Sequence, residues 1–244
     1  MQVSAHCWAV TGLAYLPPWE VNAGFVVGGH TTLVVDAGAS ALAAATIHGY
    51  ASLARPGNRL LVIDTERHFD HVGGNAYFRE RGADILGHPG CVRTEREFRA
   101  EIEEFNAAIA DPARRARSEA EVFYCGTALA VPNRFVTEDT TLDLGDLEAR
   151  VLLTPGHTPS NVTVHIPAEG VVYSGDCVVN GYAPNLGCGS EPEWRQWLDS
   201  LARIEELGPE VVVPGHGPVA RGAQVRETIE RVRYALGEAL KTAK

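Results

Sequence analysis

Four potential metal donors fall within six residues of this chain, directly after an apolar run. The segment Thr65-Glu66-Arg67-His68-Phe69-Asp70-His71 follows Leu60-Leu61-Val62-Ile63-Asp64 and precedes Val72-Gly73-Gly74-Asn75. A strand that feeds such a loop must end where the side chains can converge. In an extended loop side chains alternate, so Glu66 and His68 point the same way and can reach one ion, while the turn into the next helix redirects Asp70 and His71 toward a second. Three later loops each offer one more donor after a strand-like run: Thr154-Pro155-Gly156-His157, Ser174-Gly175-Asp176 and Pro214-Gly215-His216-Gly217. In each, Gly or Pro makes a tight turn and permits close backbone approach, as a rigid donor platform requires.

The pattern between these loops is alternating α/β. Strands are expected at Gly24 to Val27 and Thr31 to Val35, joined through Gly28-Gly29 as a hairpin. A helix is expected over Ser40 to Leu53, a strand over Leu60 to Ile63, a helix over Val72 to Arg81 closed by Gly82, and a strand at Asp84 to Leu86. From Thr94 to Ile109, apolar Phe98, Ile102, Phe105 and Ile109 recur at helical spacing among charged residues. Residues 111–133 lack a clear period, so the stretch at about 91–135 reads as a helical excursion positioned as a lid. Strands follow at Leu147 to Leu153, Asn161 to Ile166 and Val171 to Tyr173, then a helix over Pro192 to Leu207, a strand at Val211 to Val213 and a closing helix. The strand pairs that end in donor loops echo one another, as two β-rich halves facing each other would. Residues 1–244 are expected to form one domain, since α/β sandwiches of this length commonly do.

Charge narrows the partners. With 31 acidic against 21 basic residues the formal charge is −10, which repels phosphate backbones and anionic lipid. A small-molecule substrate is expected, with no nucleic acid and no membrane; no stretch announces an oligomeric interface. The five cysteines (Cys7, Cys91, Cys125, Cys177, Cys188) show neither CxxC spacing nor disulfide density and read as free thiols. The start of the chain lacks a basic leader and no run approaches the ~18 apolar residues of a membrane span, so a cytoplasmic location is expected.

The ordered donor set resembles the metallo-β-lactamase superfamily, whose usual pattern is His-x-His-x-Asp-His, then His, then Asp, then His. Asn22 to Gly28 and Asp36-Ala37-Gly38 also resemble its opening strands, so the resemblance covers most of the chain. It implies a four-layer αββα sandwich with two divalent ions at one edge of the paired sheets. Site one would use position 66, His68 and His157, site two Asp70, His71 and His216, and Asp176 would bridge. Zinc is implied by the family. The departure is Glu66, which stands where the family has its first His. Flavo-di-iron reductases of this superfamily also carry a Glu among the site-one ligands, at the neighbouring position. Three carboxylates and a bridging hydroxide bring two divalent ions to formal neutrality and tilt selection toward iron or manganese. Were Glu66 not to bind, site one would be weakened toward a single working ion.

The expected activity is metal-dependent hydrolysis of a small ester, thioester, lactone or related bond by a metal-bridged hydroxide, with Asp70 ligating and orienting it. Tyr182, in the segment following Asp176, could deliver a proton to the leaving group, as could a water. The alternative is a di-iron redox protein handling oxygen, nitric oxide or peroxide; a sensor without turnover fits the near-complete donor set less well. A β-lactamase is disfavoured by the lack of a leader, and a glyoxalase II by the 28 residues that follow His216. Asp36 is expected beneath the donors or as a cap, Cys177 as a small buried apolar group, and Trp194 and Trp197 in the core. His88 is read as either an orienting group or a structural one, and His6, His30, His48 and His165 as surface or fold residues.

Overall fold

The computed structural model describes residues 1–13, 20–107 and 127–243. The strands are β1 (Cys7–Val10), β2 (Ala23–Val27), β3 (Thr31–Val35), β4 (Arg59–Ile63), β5 (Asp84–Gly87), β6 (Arg134–Phe135), β7 (Thr140–Asp143), β8 (Glu148–Leu153), β9 (Val162–Ile166), β10 (Val171–Val179), β11 (Val211–His216) and β12 (Ala220–Arg221). The described helices are α1 (Ala41–Ala54), α2 (Phe69–Val72), α3 (Asn75–Glu80), α4 (Glu95–Ala107), α5 (Glu191–Glu206) and α6 (Ala223–Thr242), with 3₁₀ turns at Pro89–Cys91, Pro167–Glu169 and Leu186–Cys188.

Two six-stranded sheets form, in the orders β1-β2-β3-β4-β5-β6 and β12-β11-β10-β9-β8-β7. The central strands explain why they must face one another. Leu33, Val35, Leu61 and Ile63 point one way from β3 and β4, toward Val171, Tyr173, Val211 and Val213 from β10 and β11. Their alternates point outward: Val34 and Val62 pack with Ala44, Ile47 and Phe78 from α1 and α3, and Val172 and Val212 with Trp197, Leu201 and Ile229 from α5 and α6. Strands apolar on both faces need cover on both. The result is the expected αββα sandwich, and its inter-sheet core draws on both halves of the chain.

Several elements depart from expectation. The helix expected over 72–81 is two helices, because Gly74 N donates to Gly38 O at 2.9 Å and the His71 carbonyl accepts from Ala37 N at 2.8 Å instead of continuing the helical ladder; a Cβ on Gly73 would meet the Ala39 carbonyl oxygen at 2.4 Å and one on Gly74 that of Ala37 at 2.2 Å. These glycines let the α2–α3 joint press onto the loop after β3, and α2 begins early enough to place Asp70 and His71 in a helix rather than a loop. The stretch at 91–135 is not wholly an excursion: α4 buries Phe98 and Ile102 against Phe69 and Val72, and β6 joins the first sheet beside β5. The middle of that expected excursion, 108–126, lies outside the described residues. Asp176 and His216 lie within β10 and β11, since both strands continue past the expected ends with register shifts after Tyr173 and Gly175. Strands β1, β7 and β12 add to those expected; β7 is polar and mostly exposed, so no apolar alternation marks it.

The sheets are tied at one edge. Val162 N donates to the Thr65 carbonyl at 2.7 Å, Asn22 N to Gly215 O at 2.8 Å, and Asn22 Nδ2 to Pro214 O at 2.9 Å. The ends of β3, β4, β10 and β11 are thereby brought to a common rim. No described helix is long and apolar enough to cross a membrane.

Candidate metal centre

At that rim the seven sequence-predicted donor residues converge. Glu66 leaves β4 through Asp64-Thr65 and is fully buried, as is His71 on α2. Glu66 Oε1 is 2.7 Å from His68 Nδ1, and His68 Nδ1 is 3.2 Å from His157 Nε2. A second group surrounds Asp70, whose Oδ2 lies 3.3 Å from His216 Nε2 and 4.0 Å from His71 Nε2. Asp176 stands between the groups. Its Oδ2 is 3.5 Å from His157 Nε2, while its Oδ1 is 3.3 Å from His71 Nε2 and 3.4 Å from His216 Nε2. Glu66 also reaches across, with Oε1 3.5 Å from His71 Nε2. A Cβ on Gly215 would lie 1.9 Å from Asp176 Oδ1, so the close passage of β11 past this carboxylate requires a residue without one.

The outward nitrogens of His71 and His216 have partners of their own. His71 Nδ1 is 2.9 Å from Asp36 Oδ2, and that carboxylate also accepts from Thr65 N at 2.7 Å. Asp36 adopts a left-handed φ of 62°, the one non-glycine residue among those described to do so. His216 Nδ1 donates to the Glu20 carbonyl at 2.8 Å. Such contacts choose which nitrogen faces the centre. His157 instead packs edge-on against Trp197, ring centroids 5.4 Å apart, and Trp197 Nε1 donates to Cys177 O at 2.8 Å.

The electrostatics describe a cluster in need of positive charge. Burial alone would raise the Glu66 carboxyl, but His68, His71 and His157 hold it down to about 2; burial likewise opposes ionisation of Asp176, which His216 and His71 keep well below the usual carboxylate range. The converse appears on the imidazoles. Against the effect of burial, Glu66 raises His68 well above its ordinary value, Asp36, Asp70 and Asp176 raise His71, and Asp176 and Asp70 raise His216 to about 10. Protons here do what cations could do. Glu66 Oε2 is buried without a hydrogen-bond partner, which costs about 1–3 kcal/mol unless something binds it, and His71 Nε2 and Asp176 Oδ1 face each other at 3.3 Å without a hydrogen bond of good geometry. Two clusters, Glu66/His157/Asp176 and Asp70/His71/His216, each hold their donor atoms within 4.8 Å of one another. This nitrogen and carboxylate set fits divalent zinc, iron or manganese.

A cleft of about 750 Å³ opens over the cluster. One wall is α4 with the loop before it, contributing Arg93, Glu97 and Glu101, beside Arg67 of the donor loop; Arg93 and Glu101 form a buried ion pair. The opposite wall, between β10 and α5, contributes Tyr182, Asn185 and Cys188. Cys188 and the Arg93–Glu101 pair were not singled out by sequence, because nothing local marks them. His88 caps the 3₁₀ turn at Pro89–Cys91, accepting from Gly90 N at 3.0 Å, and does not line the cleft. Cys177 faces the outer core with Trp197, as expected, and burial pushes its thiol up. Trp197 is core yet touches the centre through His157, whereas Trp194 is half-buried at the edge of the same cluster.

Comparison with known proteins agrees with this architecture. The family model for the metallo-beta-lactamase superfamily matches residues 16–216. An acyl-coenzyme A thioesterase of Gallus gallus is 28% identical over 215 residues, covering 81% of this chain and 72% of that protein. A hydroxyacylglutathione hydrolase of Gloeobacter violaceus is 29% identical over 196 residues, covering 78% of this chain and 63% of that protein. One from Erythrobacter litoralis is 39% identical over 83 residues, covering 33% of this chain and 31% of its own. The chain thus spans less than two thirds of these two hydroxyacylglutathione hydrolases. Among solved structures, a metallo-beta-lactamase family protein from Thermus thermophilus superposes with a TM-score of 0.69 at 21% identity, covering 96% of this chain and 81% of that one. A metallo-beta-lactamase from Pontibacter korlensis gives 0.68 at 18%, covering 96% and 97%. These two are likenesses of fold.

Proposed function

Because this chain belongs to the metallo-β-lactamase superfamily, we propose that it is a metal-dependent hydrolase of a small thioester, working through two divalent ions held at the sheet rim. The observation that carries the reading is the position of Asp176, with one carboxylate oxygen facing His157 and the other facing His71 and His216. Glu66, His68 and His157 would hold one ion, Asp70, His71 and His216 the other, with Asp176 between. Bound there, two cations lower the pKa of a water and polarise the acyl oxygen. The named thioesterase and thioester-hydrolase relatives narrow the bond from the wider ester and lactone class.

The remaining steps belong to the chain. Asp70, with Oδ2 3.3 Å from His216 Nε2, would help hold the second ion and orient the attacking water. Tyr182, on the cleft wall, hydrogen-bonds the leaving group and can pass it a proton. A thioester asks little of this donor, since a thiol of pKa about 8.5 leaves readily as thiolate. The di-iron redox reading rests on Glu66 alone, whereas the named relatives are hydrolases.

The test pairs elemental analysis with a panel of acyl-coenzyme A and acyl-glutathione thioesters. The parent should hold two equivalents of metal and His157→Ala and His216→Ala one each, with thioester turnover lost on chelation and restored by metal. Metal-loaded parent that cleaves no thioester but shows oxygen-dependent absorption changes would sink the hydrolase reading.

A further inference from the structure

The segment between β10 and α5 carries a thiol to the donor cluster and fixes it there. Asn185 caps the 3₁₀ turn Leu186–Cys188, its Oδ1 accepting from Gly187 N at 3.0 Å, and its Nδ2 donates to Cys188 Sγ at 3.4 Å. From the other side, Trp194 Nε1 donates to Leu186 O at 3.2 Å, and Ser190 and Glu193 close a capping box that starts α5. Cys188 Sγ thereby sits 3.7 Å from His68 Nε2, and the donor atoms of His68, His157 and Cys188 lie within 4.8 Å of one another. Ligands of a tetrahedral zinc, with bonds of about 2.0–2.3 Å, stand roughly 3.5 Å apart. An independent observation lies on the far side of the same imidazole pair. Glu66 Oε2 is wholly buried without a hydrogen-bond partner, 3.9 Å from His157 Nε2, so His157, which faces Cys188 across His68, also borders a carboxylate oxygen that a bound cation would satisfy.

We propose that Cys188 is a ligand of site one, supplying the third donor that the family's first His would otherwise give. This rests on the two-metal reading above. His68, His157 and the Cys188 thiolate would hold the ion with one position open; the thiol proton leaves to solvent as the sulfur–metal bond forms. Glu66, with Oε1 near both His68 and His71, then stands between the sites beside Asp176 rather than serving site one alone. The metal preference changes as well. A thiolate with two imidazoles favours zinc over iron or manganese, offsetting the pull of the extra carboxylate.

The experiment loads the full chain with cobalt(II) and reads bound metal together with the near-ultraviolet thiolate-to-cobalt charge-transfer band. The parent should bind two equivalents and show the band. Cys188→Ser and Cys188→Ala should lose it and weaken one cobalt site about tenfold or more while keeping the other, which also reports that they fold. Cys91→Ser and Cys125→Ser should keep the band, and so should Glu66→Gln. Two bound cobalt ions without the band, or a band that survives Cys188→Ser, overturns the proposal and leaves the metal centre standing. A parent that takes up no cobalt overturns both.

Discussion

The Asp36 carboxylate lies 2.9 Å from Nδ1 of His71 and receives two further hydrogen bonds from Thr65, so one buried acid links the end of β3, the loop after β4 and helix α2. It faces His71 Nε2 into the centre. Asp36→Asn should lower metal affinity roughly 10–100-fold through loss of the charged partner. Asn tolerates the left-handed backbone that Asp36 occupies, so the fold should persist. Chelator competition measures the affinity; parent-like affinity in the variant would remove Asp36 from the centre.

Gly215 passes so close to Asp176 that a methyl group has no room. Gly215→Ala should force β11 away from the carboxylate, costing about 1–3 kcal/mol and roughly 2–4 °C of Tm per kcal/mol at this chain length. Metal content should fall with it. Calorimetry with elemental analysis tests the pair, and an unchanged Tm with full metal would contradict the packing argument.

The carboxylates raise His216 to about 10 and lift His68 and His71 well above the ordinary imidazole value, so the metal-free centre holds protons at neutral pH. Metal uptake must displace them. Binding at pH 7 should therefore release protons, read as a buffer-dependent heat, and affinity should rise with pH toward 10. Without metal the sign for stability is opposite. An imidazole raised in the folded state stabilises fully below its unfolded value of about 6.5, and that contribution is lost as pH rises toward 10. Proton-neutral binding at pH 7 would contradict this account.

Much of this candidate centre is legible in sequence because the residues that converge there sit beside Gly and Pro at the ends of apolar runs, a local signature that survives without coordinates. Glu66, His68, Asp70 and His71 announce themselves by crowding, and His157, Asp176 and His216 by their turns. The strands of the two inner layers are legible for the same reason, being apolar and bounded. What escaped depends on distant partners. The division of α2 from α3 depends on hydrogen bonds exchanged with Ala37 and Gly38 of the loop after β3, and β7 has no apolar face to read. Cys188 resembles any cysteine in a glycine-flanked turn until the loop packs and brings it to His68, from which it is separated by 120 residues.

The rim that joins the sheets has a mechanical consequence. Glu66, His68, Asp70 and His71 come from the first half of the chain and His157, Asp176 and His216 from the second, so metal held among them would be a reversible cross-link between sequence-distant halves. Folding and loading then share one free energy. Bound metal stabilises the native chain by an amount set by its free concentration relative to its dissociation constant. Scarcity of metal would loosen the seam between the two sheets, making the loaded protein the harder one for a protease to open.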